Sequence, residues 1–176
     1  MKTYVIMLSK QFPATHPKAG APTGFVENVA FKTHLELDKA LGGYRNVQGS
    51  KLHTIRANYD LWEKRIEQVQ KGEAILSLRY WTGKPYASKQ EEFAKLKDKD
   101  GVGIQLLEFG KAYNSKTEKW DGEYDLNLAT VDDACYVSPE ALAKNDGLSL
   151  KDWRDWFKNY DLSKPMAIIH FTKYRY

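Results

Sequence analysis

Six consecutive residues, Lys51-Leu52-His53-Thr54-Ile55-Arg56, set an amine, an imidazole, a hydroxyl and a guanidinium just ahead of a well-marked helix. Extended backbone alternates its side chains, so His53 and Ile55 share one face and Leu52, Thr54 and Arg56 the other. Thr54 and Arg56 then point the same way, two residues apart. That pair suits gripping an anion, or activating a carbonyl beside a hydroxyl. A plain core strand would not carry four functional side chains.

The elements around the hexapeptide have their own signals. Thr3 to Leu8 is rich in β-branched and aromatic residues and reads as a buried first strand. Phe12 to Gly24 holds Pro13, Pro17, Pro22 and Gly20 and is a loop. Phe25 to Leu41 is expected to be helical, stopped by Gly42-Gly43, and Tyr44 to Ser50 is a polar loop able to act as a flap. Asn58 is an N-cap, followed by Tyr59, Trp62, Ile66 and Val69 on one helical face and by Gly72 as the stop. Ala74 to Trp81 is a strand ending in the turn Thr82-Gly83-Lys84-Pro85. Ser88 to Leu96 is extended, although its Glu and Lys content also suits a helix.

Val102 to Phe109, Glu123 to Thr130 and Ala134 to Val137 complete the middle strands, with a hairpin tip over Tyr113 to Gly122. Ser138-Pro139-Glu140 opens a helix that Asp146-Gly147 closes. Ser149 caps another, with Leu150, Trp153, Phe157 and Tyr160 as its buried face. Pro165 precedes an apolar closing strand, Met166 to Phe171. Strands and helices do not alternate strictly, which argues against a doubly wound parallel sheet. A small mixed β-barrel with flanking helices, class α+β, fits this tally.

Composition narrows the function classes. The 176 residues match one ordinary domain, and 42% hydrophobic with 28% charged residues marks a globular chain. The net charge of +4 permits a polyanionic partner without demanding one. Aromatics reach 13%, through packing or as stacking platforms for bases. Cys135 is the only cysteine, so neither an internal disulfide nor a cysteine zinc site is possible, and it is expected to be a buried, inert thiol. His16, His34, His53 and His170 are scattered, so no metal and no cofactor is expected. No Gly-rich phosphate loop and no membrane-length apolar run occurs, and a reducing cytoplasm is the expected setting.

Gly49-Ser50-Lys51-Leu52-His53-Thr54-Ile55-Arg56 resembles the G-x-K-x-x-T-x-R signature of ASCH domains. Asp146-Gly147-Leu148, leading to Trp153 and Trp156-Phe157, is similar to a second feature of that family. Ala74 to Ser88 also resembles uncharacterised phage- and bacterial-type members. The resemblance spans roughly Lys51 to Phe171. It implies a single PUA-like domain over 1–176, with 1–48 as an N-terminal strand, loop and helix extension. It implies binding of RNA or a modified nucleoside. Some small relatives are amidohydrolases that deacetylate N4-acetylcytidine, and their Lys, Thr and acid fall on Lys51, Thr54 and Asp146.

Hydrolysis would use Thr54 as nucleophile, which needs a base to take its proton. Lys51 serves only if neutral, so its pKa must fall well below about 10.4. Asp146 would carry the proton to the leaving amine, and Arg56 would stabilise the oxyanion. For binding alone, Lys51, Arg56 and Lys84 contact phosphates, while His53, Trp81 or Tyr86 stack on an unpaired base. Plainer uses exist for each residue. Arg56 can pair with Asp146, Thr54 can bond its own backbone, His53 can be packed, and Asp146 can be a helix-end residue. Trp62, Trp153, Trp156 and Phe157 sit at core spacing. Both functional readings require a pocket where Lys51, Thr54 and Asp146 converge; side chains placed far apart, or a Lys51 buried in the core, would make the enzyme reading fail.

Overall fold

A computed structural model describes residues 1–29, 50–133 and 135–176. In chain order the elements are β1 (Lys2–Met7), α1 (Phe25–Asn28), β2 (His53–Ala57), α2 (Tyr59–Gln70), β3 (Ala74–Trp81) and β4 (Gln90–Leu96). There follow β5 (Gly103–Lys111), β6 (Tyr124–Val131), β7 (Cys135–Tyr136), α3 (Pro139–Asn145), α4 (Leu150–Phe157) and β8 (Met166–His170).

The fold is α+β, with its strands in two sheets. One runs β1-β3-β4, with β1 parallel to β3 and β4 antiparallel to it. The other runs β2-β8-β5-β6-β7 and is antiparallel throughout. Among the described residues no strand pairing closes the two into a barrel. Helix α2 packs against β3 of the first sheet and β5 and β8 of the second. Its apolar face, Trp62, Ile66 and Val69, is buried and belongs to one hydrophobic cluster with Ile6, Leu76, Leu107 and Ile168.

Local chemistry accounts for the helix ends. Asn58 sits in the left-handed region (φ 65°), which Asn tolerates, and its side chain accepts from the Leu61 N–H. Ser138 accepts from the Ala141 N–H ahead of Pro139. At the other end of α3, the Gly147 N–H reaches the Lys144 carbonyl and the Leu148 N–H the Ala143 carbonyl, a Schellman turn with Gly147 at φ 79°.

Several expectations change. Val29 turns to extended backbone (ψ 117°) and bridges Lys51 in parallel, so the helix from Phe25 stops at Asn28. Its continuation to Leu41, the Gly42-Gly43 stop, His34, residues 44–49 of the flap and Ala134 lie outside the described residues. Ser88 to Leu96 resolves as strand, over Gln90–Leu96. Cys135 is exposed, because it lies on β7, a two-residue strand at the edge of the sheet among the described residues. Tyr160 lies beyond α4 and is 38% exposed, so the buried face of that helix is Trp153 and Phe157.

Trp153 is wholly buried between Phe109 and Phe157, and its indole N–H has no partner among the described residues. Trp153→Ala is expected to lower stability by about 3–5 kcal/mol in urea denaturation. Trp153→Phe should cost clearly less, since it keeps most of the ring volume and removes an unpaired buried donor.

Candidate functional site

Strand β2 and the turn after α3 meet edge to end. The Leu52 N–H donates to the Asn145 carbonyl (2.7 Å), and the Lys51 N–H donates to the Asn28 carbonyl (2.6 Å). These two bonds fix the backbone of Lys51 between α1 and α3. Its side chain then runs along Gly147, where an added Cβ would lie 3.2 Å from the Lys51 Cβ. Glycine there supplies both the left-handed conformation and the room.

The Lys51 ammonium donates to the Asp146 carbonyl oxygen (2.7 Å) and to the Asp146 carboxylate. It also lies 4.0 Å from the centroid of the Phe25 ring, a cation–π contact. Lys51 is 1% exposed and Asp146 4%. Burial pulls the Lys51 pKa down and the Asp146 pKa up, and each is partly held back by the other. The Arg56 charge adds to the lowering of Lys51 and opposes the rise of Asp146. Burial thus favours the neutral form of each partner, while their mutual attraction favours the charged pair.

Thr54 and Arg56 line the same small cavity, of about 20 Å³, with Lys51, Asp146, Phe25 and Trp156. Alternation along β2 therefore places them as the sequence pattern requires. The cavity holds about one or two waters, well short of a nucleoside. Arg56 does not pair with Asp146; its guanidinium donates to the Met7 carbonyl (2.5 Å), which ties the second sheet to β1. Asp146 ends α3, one of the plainer uses open to it, and its carboxylate pairs with Lys51 in place of Arg56.

His53 departs from its expected ligand role. It lies on the back of β2, fully buried, opposite His170 in the β2–β8 register. Its Nε2 is 2.8 Å from the Tyr176 hydroxyl, which also accepts from Asn145 Nδ2 (3.0 Å) and donates to the Ala141 carbonyl (3.3 Å). Burial, then His170 and Lys51, holds the His53 pKa well below the usual imidazole value, so it is neutral at physiological pH. Ile55, two residues on, still borders the cavity, but His53 does not line it.

Trp81, Lys84 and Tyr86 lie elsewhere as well. Trp81 lines a larger groove of about 620 Å³, which shares Leu8 and Ser9 with the small cavity. Tyr86 stands over Trp81 (centroids 5.5 Å apart) and is 92% exposed. Lys84 is exposed in the same turn. Phe25, Trp156 and the N-terminal wall residues Lys10 and Phe12 carry no sequence signal for a site. Phe25 follows a glycine turn like many helix starts, and Trp156 sits at core spacing. Among the described residues no cluster of three or more metal-ligating side chains occurs, and no helix is long and apolar enough to cross a membrane.

No protein-family model matches this chain, and neither a curated protein nor a solved structure matches it.

Asp146→Ala leaves the Lys51 ammonium without its carboxylate and is expected to cost about 3–5 kcal/mol near neutral pH. In that variant the folded pKa of Lys51 stays below its unfolded value, so the unfolded chain binds more protons between the two. Stability must then rise with pH until about 10.4, the unfolded lysine value. Urea midpoints measured from neutral to alkaline pH should climb for Asp146→Ala. They should climb far less for the double variant Lys51→Met with Asp146→Leu, which also regains most of the lost stability.

Proposed function

We propose that this chain is an ASCH-type module that binds RNA or a modified nucleoside, with Lys51, Thr54, Arg56 and Asp146 at the inner end of its site. The observation that carries the reading is their convergence. Residues 51, 54, 56 and 146 come from two distant stretches and line one cavity. A hydroxyl, two cations and a carboxylate around one space match the edges of a nucleobase, which present donors and acceptors side by side. The cavity adjoins the groove through Leu8 and Ser9, so the body of a ligand lies in the groove and a polar substituent reaches inward. The same reading extends to the fold. Two sheets sharing one buried core are the arrangement that an opened small barrel of the PUA-like type would take.

A second reading, hydrolysis of an N4-acylated cytidine or similar amide, has its own support. Thr54 would attack the acyl carbon, Lys51 in its neutral form would take the hydroxyl proton, and Asp146 would pass a proton to the leaving amine. The lowered Lys51 pKa and the raised Asp146 pKa suit those roles. Lys51 is buried, the placement on which this reading was to fail, and only its position on the cavity wall beside Thr54 and Asp146 keeps the reading as a second; the amine, closed off by Phe25 and Asp146, has to be uncovered before it can act.

N4-Acetylcytidine separates the two. Calorimetry is expected to show saturable binding that changes little with salt, since the nucleoside is uncharged. Thr54→Val, which removes a hydroxyl and little volume, should weaken it by about fivefold, the loss of one hydrogen bond of about 1 kcal/mol. Chromatography of the same mixtures decides the ranking. Release of acetate by the wild-type chain, abolished in Thr54→Val, would establish the hydrolase. Absence of both binding and turnover would remove the nucleoside reading.

A further inference from the structure

The groove beside the cavity has features the inner residues do not explain. One wall is the segment Lys10 to Pro22, and the other is the turn after β3 with Trp81 and Pro85. The first wall is not a slack connector. The Phe12 N–H donates to the Ala21 carbonyl, the Gly20 N–H to the Phe12 carbonyl and the Thr23 N–H to the Lys10 carbonyl. Phe12 stacks on the buried His16 ring (4.3 Å), and Lys18 pairs with the buried Asp152 on α4 (2.7 Å). The second wall is braced too, by Thr82 Oγ1 to the Lys89 carbonyl (3.0 Å) and Ser88 Oγ to the Lys84 carbonyl (2.9 Å). At its crest Tyr86 is held at φ 63°, a conformation a tyrosine rarely adopts, with its ring in water. Two ordered walls of this kind form a site that exists before its ligand arrives.

The lining also states a charge preference. Phe12, Pro22, Trp81 and Pro85 offer flat apolar surface, Lys10 offers a cation, and among the described residues no carboxylate lines the groove. Lys84 and Lys89 stand exposed in the Trp81 turn. Lys10 is exposed at the margin of the groove, its ammonium 4.7 Å from the centroid of the Tyr80 ring and free to swing to a ligand. Flat rings with one such cation beside them suit a planar base attached to a singly charged phosphate. A phosphodiester carries one negative charge, whereas a free nucleotide's phosphate carries nearly two at neutral pH and calls for more cations than Lys10 alone.

We propose that the groove between Lys10–Phe12 and Trp81–Tyr86 holds a nucleotide of single-stranded RNA adjacent to the one presented to the Lys51–Asp146 cavity, its base stacked on Trp81 and its phosphodiester on Lys10. This rests on the binding reading above and narrows it from a free nucleoside to a strand. Because Leu8 and Ser9 belong to both spaces, neighbouring nucleotides fill them together.

The test is anisotropy of a short fluorescein-labelled oligouridylate over a range of salt, with uridine monophosphate and a proline-rich peptide as competitors. Trp81→Ala should weaken binding by about 5- to 150-fold, as loss of one stacked base does. Lys10→Ala should flatten the salt dependence by about one unit of slope. Trp120→Ala, at the exposed hairpin tip, should change neither. Affinity untouched by Trp81→Ala and Lys10→Ala but reduced by Thr54→Val would overturn the groove and keep the RNA reading. N4-acetylcytidine binding without oligouridylate binding would overturn it in favour of a free nucleoside. Failure of both ligands would end both proposals. Competition by the monophosphate at the strength of the oligomer would reject the strand, and displacement by the peptide, lost in Trp81→Ala, would reassign the groove to protein.

Discussion

An ammonium and a carboxylate withdrawn from water cost several kcal/mol each, and only close contact plus further hydrogen bonds offsets that. Much of this chain's architecture around residue 51 follows from meeting that demand for Lys51 and Asp146. The ammonium has the carboxylate, the Asp146 carbonyl and the Phe25 ring. Each partner arrives by a different route. The carbonyl and carboxylate come from the end of α3, held by its Schellman turn, and Phe25 opens α1. Gly147 is needed because any side chain there would press on Lys51. The pair adds side-chain bonds to the backbone bonds from Leu52 to Asn145 and from Lys51 to Asn28 that already join these segments.

A second layer of contacts fixes the pair from behind. His53, on the reverse of β2, bonds Tyr176, whose hydroxyl is shared with Asn145, the residue just before Asp146. The Gln105 side chain accepts from the Tyr176 N–H (2.9 Å), which carries the link on to β5. The imidazole that looked like a ligand is thus a brace between β2 and α3. Neutral and enclosed, it adds no charge beside a pair already short of solvent. The cost is a set of polar atoms in the same place, His53 Nδ1, Asn145 Oδ1 and both His170 nitrogens, that find no partner among the described residues.

Local signals made the secondary structure legible. The Asn58 cap, the Trp62–Ile66–Val69 stripe and Gly72 define α2 without reference to anything distant, and Ser138-Pro139 does the same for α3. Alternation correctly paired Thr54 with Arg56 on one face. What alternation cannot say is which face meets a cavity, and so His53 was misplaced. Contacts across long sequence separations were also hidden. Arg56 donates to the Met7 carbonyl and not to Asp146, a bond between two different sheets that no spacing encodes. Cys135 followed its apolar neighbours in sequence, but a two-residue edge strand leaves its side chain in water whatever those neighbours are. The Phe12 to Gly24 loop was recognised by its prolines and glycines, while its role as a wall depends on His16 and Lys18 finding Asp152 on α4, across more than 130 residues.

The two spaces divide the work that a single site would find hard to combine. A tightly enclosed ion pair gains from dryness, since its mutual attraction is strongest where water is excluded. A recognition surface for a flexible ligand gains from openness and from flat, rigid faces that accept a ring without reorganising. Placing both functions in one pocket would either wet the Lys51–Asp146 pair or close the entrance. Here Leu8, buried, and Ser9, exposed, stand between a cavity of water size and a groove large enough for a base and its sugar. The partition lets the inner residues keep their shifted protonation equilibria while the outer aromatics remain in contact with solvent. A ligand that reaches past it needs only a small polar group at its inner end. On the proposed binding reading, its affinity would come from the groove, and its discrimination from the hydroxyl, guanidinium and carboxylate beyond.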